Sequence, residues 1–257
     1  MTTATLERLI DALGLPPQAR IDQRIPKKLL LEQGAPTSTD KRLIQDGIEE
    51  LIWVAALKPT SIGVPIFKDE EREYLEIAVL TAELRAGIKA ARLLELLHRA
   101  IPYPVLLLVK EADSQTVMLS LAHKRFAQNE AGKTVVESIH GTLIDLSATT
   151  APSFQQAIAL SALPRQDMFA LYEGWLTCLV AWEASCLTGT FLLPDSAANS
   201  RLIHSALNSI AELTKELSSL RASASKEKQI NRRVELNLHI KRLESEINNF
   251  KERLSAA

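Results

Sequence analysis

The sequence predicts an α+β fold: a mostly antiparallel sheet with helices packed on one face of it, plus a C-terminal helical coiled-coil extension. Three observations predict it. Between residues 74 and 147, apolar runs read as strand, helix, strand, strand and strand, the order of an α+β sheet with hairpins. Helical periodicity occupies the chain before and after that block. From Arg201 onward there is no Gly or Pro, and Phe250 is the only aromatic residue. The expected domains are residues 1–198, globular, and residues 199–257, a helical coiled coil or helical hairpin.

Thr5 to Leu13 carries Leu6, Leu9, Ile10 and Leu13 on one helical face, and GLPPQ ends it. RIDQRIPKKLLLEQ follows, a basic segment pinned by Pro26. A second helix is expected from Thr39, capped by Thr39 and Asp40. Its apolar stripe is Ile44, Ile48, Leu51, Ile52 and Ala55, and Pro59, Gly63 and Pro65 stop it. EYLEIAVLTAELR alternates as a strand does. Ile88, Ala91, Leu94, Leu97 and His98 then share a helical face. In IPYPVLLLVKEA the prolines impose an extended lead-in, and Val105 to Val109 is the unbroken apolar run of a central strand. TVMLSLAHKRF pairs back across the polar turn ADSQ. KTVVESIHGTLIDLS forms a further strand or hairpin, with Gly141 as a bend or bulge. Two helices are expected next, Ser153 to Ser161 and Asp167 to about Leu187.

In the tail, Leu236, Ile240, Leu243, Ile247, Phe250 and Leu254 are spaced by 4, 3, 4, 3 and 4 residues, a heptad seam. Ile203, Leu207, Ile210, Leu213, Leu217 and Leu220 make a similar one, and the polar RASASKEKQ lies between them. The tail is one long helix or an antiparallel hairpin. Its seam seeks another helix, in the same chain, a second copy or a different protein.

Composition narrows the function classes. A net charge of -1 with 24% charged residues leaves no global nucleic-acid footprint, so any basic surface is local. Cys178 and Cys186 are eight residues apart in a helical stretch, about 12 Å along the axis, too far for a disulfide. Both read as buried thiols of a reducing compartment. The N-terminus lacks a secretory pattern. The longest apolar window is interrupted by Glu173 and Glu183, so it reads as a buried helix and not a membrane span. A cytoplasmic protein with no membrane contact is expected.

No Walker A, GxGxxG, GxSxG or HExxH motif is present, and neither a cofactor nor a metal is expected. The candidate nucleic-acid contacts are three basic clusters: Arg24, Lys27 and Lys28; His98 and Arg99; and His123, Lys124 and Arg125. Each has a plain alternative. RIPKK reads equally as a solvated loop with Ile25 and Leu29 tucked inward. A cation suits a helix C-terminus, which accounts for His98-Arg99, and His123-Lys124-Arg125 reads as a solvated strand end. Alternation sends His123 and Arg125 to one sheet face and Lys124 to the other. A shared basic groove requires these to converge with Arg24 and Lys28. A metal-dependent nuclease needs carboxylates beside the scissile phosphate, and Glu76, Glu83, Lys110 and Glu111 match the usual order poorly. A metal-free nuclease with His98 or His123 as general base stays open. The aromatic residues are too few for a stacking platform; Trp53, Trp175 and Trp182 have helix-stripe spacing and read as core.

Three segments together, RIDQRIPKKLLLEQ, IEELIWVAALKPTSIGVP, and LLHRAIPYPVLLLV running on to LSLAHKRF, resemble the bacterial family called domain of unknown function 4391. The resemblance covers most of Leu6 to about Leu187 and assigns no catalytic residue. It implies genomic company: helicase and DNA methyltransferase genes of restriction-like or anti-phage defence loci. The expectation is a non-catalytic accessory subunit that docks a helicase or methyltransferase through the seam and contacts DNA through local basic residues. A homo-oligomer through the coiled coil and a divergent metal-free or atypical nuclease are the alternatives.

Overall fold

In the computed structural model the described residues are 3–33, 36–88, 90–112, 114–127 and 134–256; Asp113 of the expected ADSQ turn and Lys133 of the expected KTVVESIHGTLIDLS strand lie outside them. Helix α1, Thr3–Ala12, leads through a short 3-10 turn to strand β1, Arg20–Arg24, helix α2, Lys27–Gln33, and helix α3, Ser38–Gly47. Strand β2, Ile48–Leu57, and the short helix α4, Pro59–Ile62, precede the hairpin strands β3, Phe67–Lys68, and β4, Glu73–Tyr74. Strand β5, Ile77–Leu84, helix α5, Ala90–Ala100, and strand β6, Val105–Glu111, form a crossover. Strands β7, Val117–Phe126, and β8, Thr134–Ile144, follow, then helices α6, Ala151–Ala157, and α7, Met168–Thr188. The described chain ends in helices α8, Ala197–Lys226, and α9, Ile230–Ala256.

The six-stranded sheet runs β1-β2-β5-β6-β7-β8. Only β5 and β6 are parallel neighbours; the other pairs are antiparallel. The fold is therefore α+β with a mixed, mostly antiparallel sheet. A parallel pair needs a crossover, and α5 supplies it, burying Leu93, Leu96, Leu97 and His98.

Helices cover both faces, which corrects the expectation of one. On the first face, Leu30 of α2, Ile44 of α3 and Leu93 and Leu97 of α5 pack on Ala78, Leu80, Ala82, Val105, Leu107 and Val109. The alternate residues Val79, Leu106, Leu108 and Leu119 are equally buried. On their side the Tyr172 hydroxyl of α7 donates to the Val105 carbonyl at 2.8 Å and accepts from the Ala122 amide at 2.8 Å. The cause was visible in VLLLV: a strand apolar at every position is buried on both faces.

Four further expectations change. Ile48 to Leu57 is strand β2 and not the continuation of a helix. Helix α3 stops at Gly47, where an added Cβ would stand 3.3 Å from Ile88 Cγ2, and Ile48, Ile52, Trp53 and Val54 then favour a strand. The cap of α3 is Thr37, whose hydroxyl accepts from the Asp40 amide at 3.1 Å. RIPKK is no loop: Arg24 ends β1, and Lys27 and Lys28 open α2. Ile25 does pack against the core, whereas Leu29 is 50% exposed. Cys178 is buried, with its thiol pushed up to about 12 by desolvation, but Cys186 is exposed and not a core thiol.

The chain divides into two compact units, Met1–Leu179 and Val180–Ala257. In the second, α8 turns back into α9 within residues 227–229, so the tail is a hairpin and not one long helix. Ile210 and Leu217 of α8 meet Leu243 and Ile247 of α9, with Ile240, Phe250 and Leu254 packed against them. Leu236 is half-buried. Among the described residues no helix is long and apolar enough to cross a membrane.

Candidate functional site

Edge strand β1 ends at Ile25-Pro26, and the segment separates two depressions. Proline stops the strand because it cannot continue a ladder, and Pro26 accepts the first bond of α2, from the Leu29 amide at 3.1 Å. The first depression, about 390 Å³, is lined by Arg24, Lys27, Glu49 and Glu50. The second, about 300 Å³, is lined by Arg24, Leu29, Trp53, Ile101, Pro102 and Tyr103. The Trp53 and Tyr103 rings lie 5.9 Å apart with a 32° tilt. Burial, with Glu76 adding to it, raises the Tyr103 phenol above its ordinary range. RIPKK and IPYP, far apart in sequence, thus share one cleft.

The cations at this edge have weak local partners. Arg24 lies 3.6 Å from Glu50, Lys28 lies 3.8 Å from Glu32, and Lys27 donates to the Gln45 carbonyl at 2.9 Å. The side chains of Arg24 and Lys28 are 68% and 83% exposed. Exposed pairs contribute about 0–1 kcal/mol, so a phosphate can displace them.

None of His98, Arg99, His123, Lys124 and Arg125 lines either depression, although Ile101, whose carbonyl accepts from Lys124, lines the second. Strands β1 and β7 are separated by β2, β5 and β6, about 19 Å at ~4.8 Å per strand step. His98 is fully buried: its Nε2 lies 2.9 Å from Ser120 Oγ, and Nδ1 has no hydrogen-bond partner among the described residues. Desolvation, then the Lys124 charge, pushes its pKa down to about 3. Lys124 is also buried, donates to the Ile101 carbonyl, and is pushed down to about 7 by desolvation. These two residues therefore present nothing to a phosphate, and their segments are not solvated termini either. Arg99 is exposed and pairs with Glu95 at 3.0 Å.

His123 faces the opposite side of the sheet from Lys124, as alternation requires. Tyr74 Oη lies 2.6 Å from its Nδ1, and Glu173 Oε1 lies 2.7 Å from its Nε2, though off the line a hydrogen bond needs. Burial raises the Tyr74 phenol well above its ordinary range, so it stays protonated. Phe67 stacks on Phe169 at 4.9 Å, and Tyr172 meets His123 edge-on at 5.5 Å. Arg125 lies 3.8 Å from Glu137, which also pairs with Arg72 at 3.4 Å. This array ties the β3–β4 hairpin to β7 and α7. Among the described residues no three His, Cys, Asp or Glu side chains are grouped to hold a metal.

The family model described as Domain of unknown function (DUF4391) matches residues 13–247. The chain belongs to this family. The three segments quoted from the sequence fall inside that match. No curated protein and no solved structure matches the chain. The DUF4391 match extends through both compact units and into α9.

Sequence reasoning missed Trp53 and Tyr103, which it placed in a helical core or left unassigned. The β-branched run around Trp53 and the prolines flanking Tyr103 were the signals available.

Proposed function

We propose that this DUF4391 protein is a non-catalytic, DNA-contacting accessory subunit, and that it grips DNA at the β1–α2 edge. One observation carries the reading: Arg24 lines both depressions, beside Lys27 in the first and beside the apolar wall of Trp53, Leu29 and Tyr103 in the second, with the exposed Lys28 next along α2. Cations on a fixed strand and helix start suit backbone phosphates. The aromatic wall beside them suits an unstacked base. Arg99, Arg125 and the buried His98 and Lys124 are not needed for this grip.

For the partner we propose a helicase or DNA methyltransferase of a bacterial anti-phage or restriction-like system, in the cytoplasm. The family resemblance supports this half of the reading. The α9 seam is occupied by α8, so docking through Leu236, Ile240, Leu243, Ile247, Phe250 and Leu254 requires the hairpin to open.

The test is binding to short duplex and single-stranded DNA across a salt series, with Arg24→Ala/Lys27→Ala/Lys28→Ala alongside. Each lost phosphate contact flattens the log–log salt slope by about 0.9 on duplex and about 0.7 on a single strand. A slope unchanged by the triple variant, or no binding at low salt, sinks the grip.

A further inference from the structure

We propose that Glu50, Glu83 and Lys110 form a divalent-cation site that takes a backbone phosphate as its remaining ligand. The three residues stand in one row across β2, β5 and β6. Glu50 pairs with Glu83 in the antiparallel register, and Glu83 pairs with Lys110 in the parallel one. Their neighbours Leu51, Ala82 and Val109 all belong to the cluster packed under α5. Alternation therefore sends Glu50, Glu83 and Lys110 to the other face together. Directly opposed residues of an antiparallel pair have Cβ atoms about 4.5–5.5 Å apart, so both carboxylates can reach one ion.

Two unmet needs meet in this row. Glu83 has no ion-pair partner among the described residues, and Glu50 has only the loose 3.6 Å pair with Arg24. Two adjacent carboxylates repel each other, and neither is neutralised by an ion pair tighter than the 3.6 Å one to Arg24. Lys110 is 5% exposed, and its Nζ has no hydrogen-bond partner among the described residues. A buried ammonium without a partner is strongly disfavoured. The carboxylates call for a cation, and the ammonium calls for an anion. A cation carrying a phosphate supplies both.

The ligand class follows from charge and donor type. All-oxygen donors suit Mg²⁺ or Mn²⁺, which are commonly held by one or two carboxylates with phosphate oxygens completing the shell. Two carboxylates and one ammonium sum to a single negative charge, so the ion alone is held weakly and the phosphate tightens it. The cleft of about 390 Å³ joins Glu50 to Arg24 and Lys27. A DNA backbone gripped there is brought to the row. The phosphate half of this inference rests on the proposed grip; the cation half stands without it.

The experiment is Mn²⁺ titration of the full chain followed by electron paramagnetic resonance, alone and with a 12-nucleotide single strand. Wild type is expected to bind one Mn²⁺ per chain and to gain at least tenfold in affinity with DNA. Glu83→Gln is expected to bind at least tenfold more weakly. Lys110→Met keeps the side chain's bulk and is expected to bind Mn²⁺ alone no more weakly than wild type, while losing the DNA-dependent gain. Equal Mn²⁺ binding by wild type and Glu83→Gln overturns the site, even if the salt series upholds the grip. Glu83-dependent binding that DNA does not tighten overturns the phosphate half; if the salt slope is also unchanged in the triple variant, the grip has failed with it.

Discussion

His98 makes the stability of the fold depend on pH in a way that can be calculated. Its pKa falls from the ordinary 6.5 to about 3 because the ring is desolvated and Lys124 is close. Between those values the unfolded chain holds a proton that the folded chain refuses. Stability is therefore lost as pH falls from about 6.5 towards 3. Linkage for this one group gives a loss of about 2 kcal/mol between pH 7 and pH 5. His98→Gln keeps a donor near Ser120 Oγ and removes the titration. Urea unfolding at pH 5, 6 and 7 would compare the two proteins. Wild type should lose about 2 kcal/mol more than His98→Gln over that range, while every other titrating group cancels in the difference. Parallel stability–pH curves would refute the buried neutral imidazole and its place between α5 and β7.

Lys124 should extend the trend upward: its pKa drops from 10.5 to about 7, so stability should rise by about 2 kcal/mol from pH 7 to pH 9. Chemical unfolding should show that rise vanish in Lys124→Met. At Gly174 an added Cβ would stand 2.6 Å from Pro164 Cδ and 3.1 Å from Leu163 Cδ2. Gly174→Ala gains about 1 kcal/mol of helix propensity, but overpacking against a rigid ring costs ~1–3 kcal/mol. A lower melting temperature is expected, and a higher one would show that the loop gives way. In the hairpin, Leu243 is 6% exposed and Val234 is 51% exposed. Leu243→Ala should cost the hairpin ~2–5 kcal/mol, and Val234→Ala within about 0.5 kcal/mol. Equal effects on helicity melts would reject the α8–α9 packing.

The legible parts of the fold were those with one dominant period. VLLLV read as a central strand, though not as one covered by helices on both faces, and the tail's spacing of 4 and 3 read as helical. The stripe Ile44, Ile48, Leu51, Ile52 and Ala55 was ambiguous, because the same apolar residues serve a helix end and a half-buried strand. The boundary falls at Gly47, where Ile88 leaves little room for a side chain, a tertiary contact that no local pattern contains. The basic clusters were legible as charge, but charge alone did not separate buried from exposed. Lys124 and Arg125 are adjacent in sequence, yet one is 4% exposed and the other is half-buried on the opposite face.

The row of Glu50, Glu83 and Lys110 shows why the most chemical arrangement in the sheet was the least legible. Its members lie on three strands, and what joins them is register. The β2–β5 register shifts between Ile48 and Glu50. A bulge adds one residue and reverses the facing of those beyond it. That single extra residue is what sets Glu50, and not Glu49, opposite Glu83, and leaves Glu49 to pair with Arg85 at 2.6 Å. The sequence offers two glutamates side by side with no local reason to prefer either. The crossover through α5 then sets β6 parallel to β5 and brings Lys110 level with Glu83. A charge row of this kind is therefore a product of one bulge and one crossover. Deleting Glu49 should therefore close the bulge and leave Glu50 opposite Glu83, with the Glu49–Arg85 ion pair as the contact of the row's surroundings that is lost.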